Sequence, residues 1–446
     1  MGMMGMSFVM MLMVGQGPNE LLDVVSTKGY WRLQGVELTA ENMLAQLKAE
    51  PGEPNADVRR LMAVRALGEL RKREALPLLR KLTDSKELFV AEYAKRAIAT
   101  IEGKTLRGKG VPLAMRMEDV GLLPANCGLV AQFALAPGTG PVDVAKVIAQ
   151  MGPMGEQMQQ EGGLDQLTKP LVEVTGMIGN VRIDAVTVGL AGDVGNDKGF
   201  VVVVARGLYD AQRAAAALKG LMTDENRQRI DQVAGMDVYR PDDEVAMILV
   251  SNEHFVLAGG PNADQLPVEA LAKAIKAGKG TLRDNKELAA IIDATDKSGR
   301  MWAAAQMTEV YRKGSPMFEP FHAAALSTKQ GKGGTQLTLL AQGKDADKTA
   351  AAIAQFNAEL ANVRRHMEEG VAQMPMLKPM AELVKSIQVK QAGGNVTITA
   401  KMPGESSAGM MLAPMMLFGM RAVPSAPPAM VEEGPVEVQP AQPQGR

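Results

Sequence analysis

The residues of this 446-residue chain with types suited to chemistry are three histidines, one cysteine, a few glycine-rich loops and an acidic run. Of His254, His322 and His366, only the last has carboxylates at a spacing used by metal motifs, in His366-Met367-Glu368-Glu369. A zinc ion wants at least three converging His, Cys or carboxylate ligands. No second cluster accompanies this one, so it reads as the solvated face of a charged helix. The lone Cys127 excludes an intrachain disulfide framework and any multi-cysteine metal site. It follows a Pro-Ala-Asn turn and precedes an apolar run, which predicts a buried structural thiol. Gly189, Gly192 and Gly195 are spaced as in a phosphate cradle, but they lie between two strand-like runs and open no helix. A cradle needs backbone amides at a helix N-terminus. Gly278-Lys279-Gly280-Thr281 and Gly331-Lys332-Gly333-Gly334-Thr335 lack the Gly-x4-Gly-Lys-Ser/Thr spacing and predict turns. Asp242-Asp243-Glu244 is a candidate cation ligand, but it reads first as a hairpin tip, because turns favour Asp. No nucleophile elbow, His-Glu-x-x-His or Ser-x-x-Lys arrangement stands in a suitable strand–helix context. The reading is therefore of no catalytic, metal or cofactor-binding residue, and of a protein that is not an enzyme.

Charge narrows the partners. With 49 basic and 50 acidic residues the formal net charge is −1, and no basic stripe interleaved with aromatics is present. Nucleic-acid binders carry such a footprint, so nucleic acid is not an expected partner. Methionine is frequent (32) and aromatics make up only 4%. Flexible, polarisable Met can replace Leu in a core or line an adaptable binding surface, and the composition permits both. The length exceeds what one hydrophobic core usually supports, which predicts two or three domains.

The elements that would position any site change character along the chain. Met3 to Val14 is almost wholly apolar; it is short for a membrane span and suits the h-region of a signal peptide over residues 1–17. Residues 38–103 are helical by periodicity. Thr39 caps a helix over Ala40 to Ala49. Asp57 caps a run in which Val58, Leu61, Met62, Ala66, Leu67 and Leu70 recur at helical spacing. Leu76, Leu79 and Leu82 mark a second helix; Val90, Tyr93, Ala94, Ala97, Ile98 and Ile101 mark a third. Shifted by 31 residues, Arg65-Ala66-Leu67-Gly68 falls on Arg96-Ala97-Ile98-Ala99, the self-similarity of a helical solenoid. Lys104 to Lys109 reads as a linker.

From residue 112 strands and helices alternate. Leu129 to Leu135 is a strand, and helices over Val142 to Met151 and Leu164 to Met177 follow. Ile183 to Leu190 and Gly199 to Ala205 form a hairpin, Tyr209 to Met222 a helix, and three short strands begin at Met236, Val245 and His254. The order then recurs. Met301 to Met307 stands where Leu129 to Leu135 stood. Ala323 to Thr328 and Gln336 to Gln342 form a hairpin, Asp345 to Glu369 a helix, and Ile387 to Gln391 with Val396 to Lys401 a last hairpin. This predicts two α+β halves, 112–280 and 281–403, with antiparallel sheets. Residues 404–446 hold an apolar stretch, Met410 to Met420, and a Pro-, Gln- and Glu-rich tail from Val423 that is expected to be disordered.

Two resemblances accompany these patterns. The phrase AVRALGELRKREALPLLRKLTD resembles the short HEAT repeat of the phycobilisome-lyase type, within a unit at 57–102. Gly235 to Met307, with Leu282-Arg283-Asp284-Asn285-Lys286-Glu287-Leu288 opening a helix, is similar to a repeated module of uncharacterised exported bacterial proteins. The first resemblance implies interaction surface; the second implies an envelope location and brings no catalytic residue with it. The resulting expectation is an α+β protein: a short N-terminal α-helical HEAT-like segment and a duplicated domain of antiparallel sheets with packed helices. It would be periplasmic or otherwise exported, possess no cofactor, and bind a protein partner. Arg59, Arg60, Arg71, Lys72 and Arg73 are the candidate contacts on the outward helix faces. Envelope or membrane association, and binding of an apolar ligand or lipid in a Met-lined cleft, form the alternative.

Overall fold

In the computed structural model the described residues are 20–48, 53, 55–104, 117–135, 172–191, 200–222, 229–241, 245–259, 268–307, 309, 312, 318–331, 334–373 and 378–402. The readings at Met3 to Val14, Val142 to Met151, Asp242 to Glu244, Met410 to Met420 and the tail lie outside them.

The helical segment comprises α1 (Leu21–Val24), α2 (Thr27–Leu33), α3 (Ala40–Gln46), α4 (Ala56–Glu69), α5 (Leu76–Leu82) and α6 (Val90–Glu102). The Thr39 hydroxyl accepts from the Asn42 amide and caps α3. Helix α4 begins earlier than the expected Asp57 cap: Asn55, at φ 59°, precedes it. Asp57 lies inside the first turn, where a carboxylate complements the helix dipole, and its Oδ2 accepts from Arg213 Nη1 at 2.6 Å. Helices α4 and α6 cross closely at Gly68, where a Cβ would lie 2.9 Å from the Ala97 Cα. Their apolar faces close over Trp31, Tyr30, Met43, Leu61, Met62, Leu67 and Leu79, which form one buried core.

The rest of the described chain is built on one antiparallel sheet of twelve strands, in the order β11-β12-β10-β9-β8-β1-β2-β3-β7-β6-β5-β4. The strands of the first half are β1 (Cys127–Ala134), β2 (Arg182–Ala191), β3 (Phe200–Leu208), β4 (Arg229–Val233), β5 (Met236–Arg240), β6 (Val245–Leu249) and β7 (His254–Gly259). Those of the second are β8 (Met301–Gln306), β9 (Phe321–Gly331), β10 (Gly334–Gly343), β11 (Gln388–Ala392) and β12 (Asn395–Met402). The helices are α7 (Met117–Val120), α8 (172–178), α9 (Ala211–Leu221), α10 (Val268–Ala277), α11 (Lys286–Ala294), α12 (Ala346–Gln373) and α13 (Lys378–Ser386). None of the described helices is long and apolar enough to cross a membrane.

The duplication joins its halves edge to edge, with β1 antiparallel to β8 and Ala131 facing Ala303 across the seam. Strands β1, β2, β3 and β7 then correspond to β8, β9, β10 and β12. The match reaches small irregularities. The Leu135 amide donates to the Asp184 carbonyl, and the Met307 amide to the His322 carbonyl. Both acceptors are bulged residues, skipped in their strand registers. Gly207 and Gly343 donate to the Glu253 and Gly394 carbonyls in the same way. A Cβ at Gly207 would run into the Arg182 carbonyl, and one at Gly343 into the Thr349 hydroxyl.

Helices α1, α2 and α7, strand β4 and helix α13 were not read from the sequence. Strand β4, with Arg229 and Asp231 among five residues, has no clean apolar alternation because it is a sheet edge. Helix α13 is short, and part of its hold comes from elsewhere: Arg364 on α12 donates to the Val384 and Ile387 carbonyls at its C-terminus. The opposite edge, β11, is also five residues long and carries Lys390 at its centre. Short, charged edge strands resist pairing with other chains.

A short N-terminal strap, Glu20 to Val25, joins helices to sheet. On the sheet side, the Leu21 amide donates to the Val181 carbonyl at 2.8 Å and the Leu22 amide to Asn180 Oδ1 at 3.1 Å. On the helical side, Arg65 and Arg96, the two arginines related by the 31-residue shift, hold the same strap. Arg65 Nη1 donates to the carbonyls of Leu22 and Val25 at 2.6 and 2.8 Å. Arg96 pairs with Glu20 at 2.5 Å and Asp23 at 3.3 Å. Burial raises the pKa of both carboxyls, against the pull of Arg96. Their folded-state values therefore lie above the unfolded ones. Their contribution to stability is greatest below the unfolded values and is lost as pH rises through the folded ones. Arg96→Met removes the cation that, among the described residues, pairs with both groups and should cost ~3–5 kcal/mol near neutral pH. In urea titrations that deficit should narrow as the pH is lowered, because protonation relieves the stranded charges; a deficit independent of pH would contradict this account.

Candidate functional site

Polar side chains converge on the inner face of the first half, where alternation along the strands would otherwise place apolar residues. Trp302, Gln132 and Thr187 lie side by side across β8, β1 and β2, and Arg206 faces His254 across β3 and β7. Helix α7 brings Asp119 over this row, fully buried. Trp302 Nε1 donates to Gln132 Oε1 at 3.0 Å. Gln132 Nε2 in turn reaches Asp119 Oδ2 at 2.6 Å and Thr187 Oγ1 at 2.7 Å. The other Asp119 oxygen lies 2.9 Å from His254 Nε2. Arg206 Nε is 3.2 Å from Asp119 Oδ2, so one carboxylate balances the buried guanidinium and orients the imidazole. That ion pair is not in line for a hydrogen bond: Nε and Nη2 of Arg206 are buried with no acceptor among the described residues.

The second half shows what the same backbone does without this cluster. Following the matched registers, Gln132, Thr187, Arg206 and His254 correspond to Ala304, Ala325, Gln342 and Asn395. Over Ala304 and Ala325, α11 contributes the fully buried Leu288, Ile291 and Ile292 to the same core. The architecture thus forms with alanine at two of the four positions, and the buried charges of the first half are not a demand of the fold. Sequence reading missed the cluster because its members are up to 183 residues apart (302 − 119) and share no motif. The available signal was Gln132 and Thr187 interrupting otherwise apolar strands.

The candidates named from sequence are dispersed. Cys127 is buried, and burial pushes its thiol up to about 12, which keeps it protonated. His366 Nδ1 donates to the Asn362 carbonyl at 2.9 Å on an exposed helix face. Among the described residues no group of three or more His, Cys, Asp and Glu converges as metal ligands do. The five basic candidates divide. Arg59 bonds Gln46 and Glu53 at 3.0 and 3.1 Å, and Arg60 pairs with Glu87. Arg71, Lys72 and Arg73 are exposed in the turn after α4, with no ion pair or side-chain hydrogen bond to a described residue. Arg71 holds the left-handed conformation at φ 51°. A groove of ≈ 580 Å³ beside α4 is lined by Glu53, Asp57, Arg60, Glu87 and Arg213, but those charges already pair among themselves or with Arg59.

The described chain is therefore an α+β protein of an antiparallel sheet with packed helices, duplicated across a central seam. No family model matches it, and no curated protein does. Among solved structures it is similar to crystal forms I, III and IV of TP0453, at 10% identity in each case. Those alignments cover 68%, 66% and 66% of this chain and 98%, 97% and 95% of the other, with TM-scores of 0.35, 0.33 and 0.32. Similarity at that level carries no argument about function.

Asp119→Ala should destabilise the protein by ~3–5 kcal/mol, because it strands the buried Arg206. The double variant D119A/R206M should recover part of that loss in chemical denaturation. Additive losses would show that the two groups do not act as a pair.

Proposed function

We propose that this is an exported bacterial protein that acts by binding another protein and not by catalysis. In this reading the helical segment is HEAT-like, and its exposed turn at Arg71, Lys72 and Arg73 contacts an acidic patch on the partner. The observation that carries the reading is the contrast among basic residues of one segment. Arg59, Arg60, Arg65, Arg80 and Arg96 are all engaged in ion pairs, while Arg71 and Arg73 are exposed and make none to a described residue. Arg71 also stands at the left-handed position after a helix end, where glycine costs least and an L side chain costs about 1 kcal/mol more. A backbone outlier with no packing role is a pointer to function. The α4–α6 face carrying Arg65 and Arg96 is already filled by the strap, whereas the turn is a cationic surface open to a partner.

The triple variant R71E/K72E/R73E should keep the wild-type fold and lose its cross-linked partner in intact cells. Retention of the same adduct would remove the assignment. Arg71→Gly alone should stabilise the protein by about 0.5–1 kcal/mol while weakening the adduct. Export rests on the apolar Met3 to Val14 stretch. Cell fractionation should recover the protein outside the cytoplasm with a mature N-terminus between residues 15 and 20; a cytoplasmic chain beginning at Met1 would refute it.

A further inference from the structure

The Asp119 cluster makes donors available and leaves them unused. Arg206 is 5% exposed, its charge is balanced by Asp119, and its Nη2 hydrogens meet no acceptor among the described residues. A buried guanidinium with idle donors carries the desolvation cost of the unmade bonds, which a fold does not keep without reason. His254 faces it across the β3–β7 pair. Its Nε2 is committed to Asp119, and its side chain is 13% exposed, so the cluster is not sealed at this end. The second half, with Gln342 and Asn395 at the corresponding positions, shows that a charge is not needed there for folding.

We propose that Arg206 and His254 form a binding site for a small oxyanion, a carboxylate or a phosphate. The planar guanidinium would donate to two oxygens through its Nη groups, the bidentate mode in which arginine surpasses lysine. The imidazole would add a third contact at the rim. Asp119 then has a positioning role: it fixes the fork and the ring from behind, and Gln132 and Thr187 hold Asp119 in turn. The proposal is independent of the partner-binding reading of the helical turn.

Thermal unfolding of the full chain should be followed in sodium acetate, and separately in inorganic phosphate, each against sodium chloride at matched ionic strength. Wild type should show a saturable rise in Tm with at least one of the two, because a ligand that binds only the folded state stabilises it. The anion giving the rise identifies the source, carboxylate or phosphate. Arg206→Lys and His254→Gln should each weaken apparent affinity about tenfold or more; H254Q retains a donor for Asp119 and decides the question if R206K does not fold. Equal increments in wild type and H254Q would mean a general salt effect and overturn the site. So would a crystal structure from either anion with only water at Arg206 Nη2.

Discussion

Arg96 fixes how the helical segment meets the strap that leads onto the sheet. Its guanidinium holds two carboxylates that have almost no access to water, and those carboxylates belong to a strap that also bonds to the start of β2. Arg182 extends the ionic chain onto the sheet itself, through Glu92 at 2.8 Å and Asp184 at 3.0 Å. Desolvating such groups is expensive, and only their mutual pairing offsets it. The consequence is directional. Apolar surfaces tolerate sliding, whereas paired buried charges fix one relative placement of helices and sheet. The short helical segment is anchored on the sheet in this way.

The duplicated sheet adds an internal control rarely present in one chain. Bulges at Asp184 and His322, and glycines at 207 and 343, recur at matched places, so the backbone demands them. The polar row over β1, β2, β3 and β7 does not recur. Features common to both halves belong to folding; those in one half belong to something else. That distinction separates the Asp119 cluster from structural polar groups more firmly than burial alone could.

Much of the fold was legible because its signals are local. Thr39 capped the predicted helix, Asn285 accepts from the Leu288 amide where the helix start was read, and the strand runs fell where β-branched residues alternate. The misses have physical causes. Strand β4 is a charged edge that buries little, and α13 depends on the distant Arg364. The Asp57 assignment failed because a carboxylate in the first turn and a capping carboxylate look alike in one dimension. Tertiary chemistry was the hardest to read. His254 showed no partner at any motif spacing, since its partner Asp119 lies 135 residues away.

The seam between β1 and β8 also bears on how the chain reaches its structure. Gln132 and Trp302 meet across it although they are 170 positions apart in sequence, so closing the sheet joins the chain ends of a very large loop. The entropy of loop closure grows with that separation and topologies rich in such contacts fold slowly. Until the seam closes, each half presents an unprotected inner strand, β1 or β8, with none of the charge that guards the outer edges. The centre of the finished sheet is thus the most adhesive surface of the unfinished one, and the interval before closure is when a chain of this design is most exposed to pairing with its neighbours.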